Sequence, residues 1–442
     1  DEPFRDRGRA RRAAATARAM TAPQPPRGTR DLLPPASERL AVLERDAAGI
    51  FERAGYRRII TPEFEATEIF TRGIGEATDI VTKEMYTFED RSGNSLTLRP
   101  EGTAPVMRAI VTHRLHDGPL PIKLFYAAAM FRYERPQKGR YRQHFQLGIE
   151  AVGAEDPALD AEVIETGLKV LHAASAGDVS LLINSMGHPS DDCRGRYLPA
   201  LKAFLEGYRE ELDADCKRRM ETNPLRVFDC KVEKDQKILA DAPTLEQFLC
   251  DGCREHLDAV KRHLVDAGIT FIAAPRLVRG FDYYTRTTFE YQSAALDAAQ
   301  NALGGGGRYD GLVEQLGGPS LPGIGFGLGV DRILLAQEAA GAPPEAFRLD
   351  CYVIPLTADE RAIAVGLVRA LRQAGFNADM PYADRALKGN LKAADKLGAR
   401  FAALIGSAER EAGTATLREM TSGEQEAVPL DAVAVRLGER SR

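Results

Sequence analysis

The stretch from Pro121 to Gly153 constrains the fold most. Two apolar runs, "PIKLFYAAAMFRYE" and "RQHFQLGIEAVG", flank a short basic segment carrying Arg135, Lys138 and Arg140, with Arg142 opening the second run. Alternating apolar runs this close together, joined through Pro136 and Gly139, read as an antiparallel pair of strands. A period of two then sorts the second run. Phe145, Leu147 and Ile149 point one way, and His144, Gln146, Gly148 and Glu150 the other. Arg132 ends the first strand, so hairpin pairing brings it toward the polar face. The simpler reading is a half-buried sheet with a solvated polar side. A glutamine, a carboxylate and an arginine around a glycine that lets a ligand come close read better as a pocket wall.

The rest of the chain sets bounds. Its 442 residues correspond to roughly three domains, since domains typically hold ~100–200 residues. A formal net charge of −5 provides no general basic field, so any site for a polyanion has to be a local patch. Cys193, Cys216, Cys230, Cys250, Cys253 and Cys351 are scattered, which fits a reducing cytosol better than a disulfide framework. No apolar run reaches the ~18 residues of a membrane span. Residues 1–19, "DEPFRDRGRARRAAATARA", lack the apolar centre of a secretory signal and are expected to be a disordered leader.

Along the chain, Ser37 is expected to cap a first helix through Leu40, Leu43, Ala47, Ile50 and Phe51, stopped by Gly55. "YRRIITPEF" reads as strand interrupted by Pro62, which suits an edge or bend. "EMYTFED" and "SLTLRPEG" around Gly93 and Asn94 form a hairpin signal. Helix returns near Asp160–Ala174. Residues 187–268 are helical and charged, an insertion before strand character resumes at "ITFIAAPRLVRGFDYYTRTTFEYQ". After "ALGGGGRYDGL" and the strand–helix pair "LPGIGFGLGVDRILLAQEA", the linker-like "AGAPPEAF" leads into alternating β and α segments. That alternation predicts a small α/β domain with mostly parallel strands. The fold class is therefore α+β: an antiparallel sheet with flanking helices and a helical insertion, then a C-terminal α/β domain. The expected boundaries are 20–345, with the insertion at about 187–268, and 346–442.

Several further segments carry candidate chemistry. "LTLRPEGTAPVMRA" places Arg99, Glu101 and Thr103 at a strand end, where a carboxylate and a hydroxyl suit an ammonium group; Thr103 could equally cap a helix. "VRGFDYYTRTTFE" groups Arg279, Asp282, Tyr283 and Tyr284 in an apparent strand. Gly304–Gly307 permit positive φ and close backbone approach but match neither dinucleotide nor P-loop spacing. Arg332 sits early on a helix after a glycine-rich strand, within reach of a polyphosphate. In the basic loop, guanidinium groups suit phosphate and Tyr133 and Tyr141 suit bases. Cys250 and Cys253 have metal-like spacing, but Cys230 and His256 supply no second close pair, so no metal is expected.

Taken in order, "RGTRDLLP", "RPEGT", "FRYERPQKGRYRQHFQLGIE", "RGFDYYTRTTFE", "GGRYDGL" and "GFGLGVDR" resemble the histidyl-tRNA synthetase family of class II aminoacyl-tRNA synthetases. The resemblance spans Arg27 to the C-terminal module, which it implies is an anticodon-binding domain. It implies a class II antiparallel sheet of six to seven strands, a homodimer, a cytoplasmic setting, and ATP, Mg²⁺, histidine and histidine tRNA as cofactors and partners. By motif, Glu101, Thr103 and Gln146 would hold the ammonium and neighbouring polar atoms of histidine. Glu150 and Tyr284 would bracket the imidazole, with Tyr283 and Tyr309 lining the same pocket. Arg132 and Arg279 would meet the α-phosphate and serve as the catalytic pair. Arg332 would meet the γ-phosphate, and Arg135, Lys138 and Arg140 the tRNA. The pattern departs at His144-Phe145, where the reverse order is common, and at Asp331, where glutamate is familiar. The alternative is the inactive paralogue that regulates ATP phosphoribosyltransferase. Such paralogues lack the C-terminal module and catalytic arginines, and this chain has both.

Overall fold

The computed structural model describes residues 22–75, 78, 80–190, 192–297, 300–341, 348–383 and 385–440. The leader and most of the "AGAPPEAF" segment lie outside these residues. The chain divides into two units, one comprising Asp1–Leu32 and Val42–Pro343 and the other Leu33–Ala41 and Pro344–Arg442.

Helix α1 covers Ala36–Arg53 and buries Leu43, Ala47 and Phe51 at helical spacing. It starts one residue before the expected cap. Leu33 O already accepts from the N–H groups of Ala36 and Ser37, so Ser37 belongs to the first turn. Next come β1 (Arg57–Arg58), β2 (Phe64–Ala66), α2 (Thr67–Ile74), β3 (Tyr86–Glu89), β4 (Ser95–Leu98) and α3 (Thr103–Thr112). Pro62 falls between β1 and β2, which lie in different sheets; β2, β4 and β3 form a small antiparallel sheet.

The expected strand pair is β5 (Ile122–Phe131) and β6 (Gln143–Val152), antiparallel along their whole length. Helix α4 (Pro157–Ala173) and β7 (Val179–Ser185) precede the insertion, which holds α5 (Arg194–Gly207), α6 (Ala214–Thr222), α7 (Glu233–Leu239) and α8 (Asp251–Asp266). Then follow β8 (Ile272–Ala273), β9 (Thr285–Ser293), β10 (Ala302–Arg308), α9 (Leu312–Gln315), β11 (Gly323–Gly329) and α10 (Val330–Ala339). The large sheet runs β1-β5-β6-β11-β10-β9-β7-β8. Its six long strands are antiparallel, and a two-residue parallel piece finishes each edge.

Two expectations need correction here. "APRLVRGFDYY" is a loop between β8 and β9, because Pro275 and Gly280 interrupt the pairing and leave residues 274–284 outside the strands. Arg279, Asp282, Tyr283 and Tyr284 are therefore loop residues. The glycines Gly304–Gly307 sit in β10, and none has positive φ. They are needed for space instead. A Cβ on Gly305 would lie 2.4 Å from Phe289 O and 2.9 Å from Arg279 Nη1, and one on Gly307 would lie 2.9 Å from Tyr284 Cδ1.

The second unit holds β12 (Cys351–Pro355), α11 (Arg361–Gln373), β13 (Ala378–Asp379), α12 (Leu387–Lys396), β14 (Phe401–Ile405), α13 (Ser407–Ala412), β15 (Thr414–Glu419), β16 (Gln425–Pro429) and α14 (Val433–Arg440). Its sheet order is β13-β12-β14-β15-β16. The β/α segments pair in parallel as expected, but β15 and β16 add an antiparallel extension, so the sheet is mixed. Lys388, Lys392 and Lys396 lie on α12, whereas Arg400 lies beyond its end, donating to Arg440 O. Among the described residues no helix is long and apolar enough to cross a membrane.

Candidate active site

Strand register assembles one end of the site. Glu150 on β6 faces Gly325 on β11, and a Cβ there would come 2.1 Å from its Oε2. The bare backbone is what lets the carboxylate lie down on the sheet. Gly148 has a different role from the one its position suggested. Tyr126 is its partner on β5, and a Cβ on Gly148 would meet the Tyr126 ring at 2.3 Å. The room it leaves is filled by tyrosine, not offered to a ligand. Gly102 leaves room for the same ring.

The buried polar groups are organised around helix α3. Glu101 accepts from the N–H groups of Thr103 (2.6 Å) and Ala104 (2.9 Å), placing its carboxylate at the helix N-terminus. The Thr103 hydroxyl donates to Glu150 at 2.7 Å, and the Tyr309 hydroxyl donates to the other oxygen of Glu150. Glu101 is 2% exposed and Glu150 1%. Burial raises both carboxyl pKa values: Glu101 against the pull of the two α3 N–H groups, and Glu150 to about 8 despite its bonds to Tyr309 and Thr103. Burial thus favours the neutral form of the Glu150 carboxyl, and a positive partner would favour the ionised one.

Above this lies a cleft of about 1000 Å³. Glu101, Thr103, Gln146, Tyr283, Tyr284 and Tyr309 line it, and so do Arg132, Arg140, Arg279 and Arg332. The Tyr283 and Tyr284 rings lie 4.8 Å apart, with Tyr309 edge-on to Tyr283 at 5.8 Å. Arg279 lies over bare Gly305 of β10, paired with Glu290 at 2.6 Å, and its Nε is buried with no hydrogen-bond partner among the described residues. Arg132 donates to Pro100 O at 2.8 Å, and Arg332 donates to Ala302 O at 2.7 Å. Burial, then neighbouring Arg140, lowers the Arg332 pKa. His144 is pushed down to about 3 by burial and by Arg132, so it is neutral. Arg135 and Lys138 are outside the cleft lining, whereas Arg140 is tied to Glu134 at its rim.

Some working residues escaped the sequence reading. Tyr126 falls inside "PIKLFYAAAMFRYE" and Glu290 ends "RGFDYYTRTTFE", but nothing singles out Tyr126, and only the period-two pattern of β9 sets Glu290 apart. Arg30, in the opening "RGTRDLLP", pairs with Asp331 at 2.5 Å and stacks over Tyr141 at 3.9 Å, bracing the basic loop. Arg308 of "GGRYDGL" is fully buried on Asp160. His256 also turns to Asp160, at 2.8 Å. The residues that do approach Cys250 and Cys253 are His188 and Cys193, a pair that sequence spacing did not single out.

The histidyl-tRNA synthetase family model matches residues 28–190 and 196–333, and an anticodon-binding domain model matches 350–440. A histidine–tRNA ligase of Geobacillus kaustophilus is 48% identical over 420 residues, covering 94% of this chain and 98% of that one. One from Solibacter usitatus is 49% identical over 412 residues, covering 93% and 98%. The apo histidyl-tRNA synthetase of Staphylococcus aureus superposes with a TM-score of 0.78 at 38% identity, over 94% of this chain and 99% of that one. With its class II sheet, its charged cleft and matches over nearly its full length, this chain belongs to the histidyl-tRNA synthetase family.

Proposed function

We propose that the cleft activates histidine with ATP and passes the histidyl group to the 3′ end of histidine tRNA. The observation that carries this reading is the pairing of two extremes in one cavity: buried Glu101 in its lining, with Glu150 directly behind Thr103 and Tyr309, and Arg132, Arg279 and Arg332 around it. A cationic amino acid suits the first and a triphosphate the second.

In the first step a carboxylate oxygen of histidine attacks the α-phosphorus, the bond to the β-phosphate oxygen breaks, and pyrophosphate leaves. In the second the 3′-hydroxyl of the terminal adenosine attacks the histidyl carbonyl and AMP leaves. Glu101 takes the ammonium group, with Thr103 and Gln146 on the adjoining polar atoms. Thr103 and Tyr309 also fix Glu150, whose carboxylate accepts from one imidazole N–H while Tyr284 meets the other nitrogen and Tyr283 closes the side. Satisfying both ring nitrogens leaves buried groups unpaired with any other amino acid. Arg132 and Arg279 hold the α-phosphate where charge builds in the in-line displacement. The Nε of Arg279, buried without a hydrogen-bond partner among the described residues, leaves a donor to be satisfied and supports that assignment. Arg332 takes the γ-phosphate. The pocket-lining carboxylates Glu134 and Glu290 fit Mg²⁺ bound chiefly through substrate phosphates. When bound, that ion neutralises phosphate charge.

Arg135, Lys138 and Arg140 would meet the tRNA acceptor end. We take residues 20–345 as the catalytic domain and 346–442 as the anticodon reader, working as a homodimer in the cytoplasm. The regulatory-paralogue reading is disfavoured by the matched anticodon-binding segment and by the presence of all three arginines. Calorimetric binding of the two ring-methylated histidines tests the imidazole contacts. Each methyl removes one ring nitrogen from hydrogen bonding, so both analogues should bind far more weakly than histidine. Undiminished binding of either contradicts the assigned bracket.

A further inference from the structure

The insertion contains a cluster that the aminoacylation chemistry leaves unused. His188 follows β7, Cys193 precedes α5, Cys250 precedes α8, and Cys253 lies in the first turn of α8. One ligand atom from each lies within 4.8 Å of all the others. His188 Nδ1 is 3.3 Å from Cys253 Sγ and 3.6 Å from Cys250 Sγ, and Cys250 N–H donates to Cys193 Sγ at 3.3 Å. A single imidazole nitrogen can make one good hydrogen bond, yet two sulfurs crowd it. Tetrahedral zinc offers a reason. With Zn–S of ~2.3 Å and Zn–N of ~2.0 Å, the sulfur–nitrogen edge of the tetrahedron is ~3.5 Å, which the two observed separations straddle.

We propose that His188, Cys193, Cys250 and Cys253 form a structural zinc site that staples the neck of the helical insertion. The ligand set is soft, suited to zinc rather than to Mg²⁺ or Ca²⁺. Cys193 and Cys253 are fully buried, which suits a closed structural site rather than an open catalytic one. The backbone is bent to build it. Gly187 has φ +54°, and a Cβ there would lie 2.7 Å from Cys193 Cβ. Arg286 sits at φ +42°, with its guanidinium 3.3 Å from His188 Nε2. Three thiolates and a dication leave one negative charge, which Arg286 offsets. Metal on Nδ1 places the ring proton on Nε2, so Arg286 then turns its N–H groups toward Glu155, already 3.5 Å away.

The two halves of the site stand at the entrance and exit of residues 194–249. That enclosed segment touches the loop bearing Arg279: Arg226 donates to Arg279 O at 3.1 Å, and Asn223 donates to Asp282 at 2.9 Å. Zinc would hold this wall of the cleft in register, which rests on the reading of Arg279 above; the metal site itself does not. A second cluster, Asp213, Cys216, Cys230 and Asp235, is the natural control. There Asp213 caps α6 through Cys216 N–H, and Asp235 accepts from Asp213 N–H and from Cys230.

The test is the metal content of the full-length protein, purified under reducing conditions without chelator. Stoichiometric zinc is expected in the wild type and in Cys230→Ser, and its loss in Cys253→Ser and His188→Ala. Since those variants could unfold, the wild type is also exchanged with Co²⁺. Sulfur-to-cobalt charge-transfer bands with the intense visible bands of a tetrahedral centre are expected. A folded wild type without zinc and without these cobalt bands overturns the proposal, as does zinc retained by Cys253→Ser or lost from Cys230→Ser.

Discussion

The two larger sheets of this chain are built to opposite rules. In the C-terminal unit, Cys351–Ile354 and Phe401–Ile405 are all buried, as expected for parallel strands covered on both faces. Burial alone accounts for those two strands. The large sheet instead buries Glu150, Thr287, Thr288 and Arg308, and has glycine where a side chain would block a charge. Burying a carboxyl without a counter-ion costs stability, and here it raises the Glu150 pKa. One sheet is shaped by packing, the other by the charged groups it has to hold.

The contrast can be broken from the charged side first. Arg279→Ala should lower histidine-dependent pyrophosphate exchange by ~10²–10³-fold, the usual cost of one positioned electrostatic group. Because the substitution strands Glu290, the double variant Arg279→Ala/Glu290→Gln separates catalysis from stability. It should melt close to the wild type and remain slow. Near-normal exchange in either variant contradicts the assigned role.

On the other side, deleting the chain from Ala346 onward should leave histidine-dependent exchange in place and sharply reduce tRNA charging. Circular dichroism and sedimentation establish that the truncated protein is folded and whether it is dimeric. Charging at the full-length rate would mean that the C-terminal domain has another task.

Glu150→Gln should weaken histidine binding and spare ATP, because a hydrogen bond to a charged group is worth ~1.5–3 kcal/mol. Equal losses for the two ligands would instead make Glu150 a general structural prop. The same residue predicts a pH effect. Its folded pKa of about 8 lies above the ordinary 4.5, so between these values the unfolded chain ionises while the native one keeps its proton. Stability of the ligand-free protein should therefore fall as pH rises through that window, by at most ~1.4 kcal/mol per pH unit. Chemical denaturation of wild type and Glu150→Gln across the window checks it; identical slopes refute it.

The smallest effect is expected at α12. Replacing Lys388, Lys392 and Lys396 with alanine should flatten the salt dependence of tRNA binding by ~0.7 for each phosphate that a lysine no longer neutralises. An unchanged slope makes them ordinary solvated lysines.

Much of this contrast was legible in the residues. Alternation in β5 and β6 put Gln146 and Glu150 on one face, and the β/α rhythm after residue 346 identified the second sheet. Three things were not legible. The aromatic richness of "GFDYYTRTTFE" read as continuous strand, although Pro275 and Gly280 had already broken the pairing upstream. Gly148 looked like open floor because its cross-strand partner Tyr126 was unknown until the register was. The gathering of His188 and Cys193 with Cys250 and Cys253 depends on the helices between them folding back, and no local spacing records that.

The central claim is that one cleft joins histidine recognition to attack on ATP. Its most direct measurement is ATP–pyrophosphate exchange by the full-length protein with each proteinogenic amino acid in turn. Exchange with histidine alone is the predicted result; exchange with another amino acid, or with none, would contradict it.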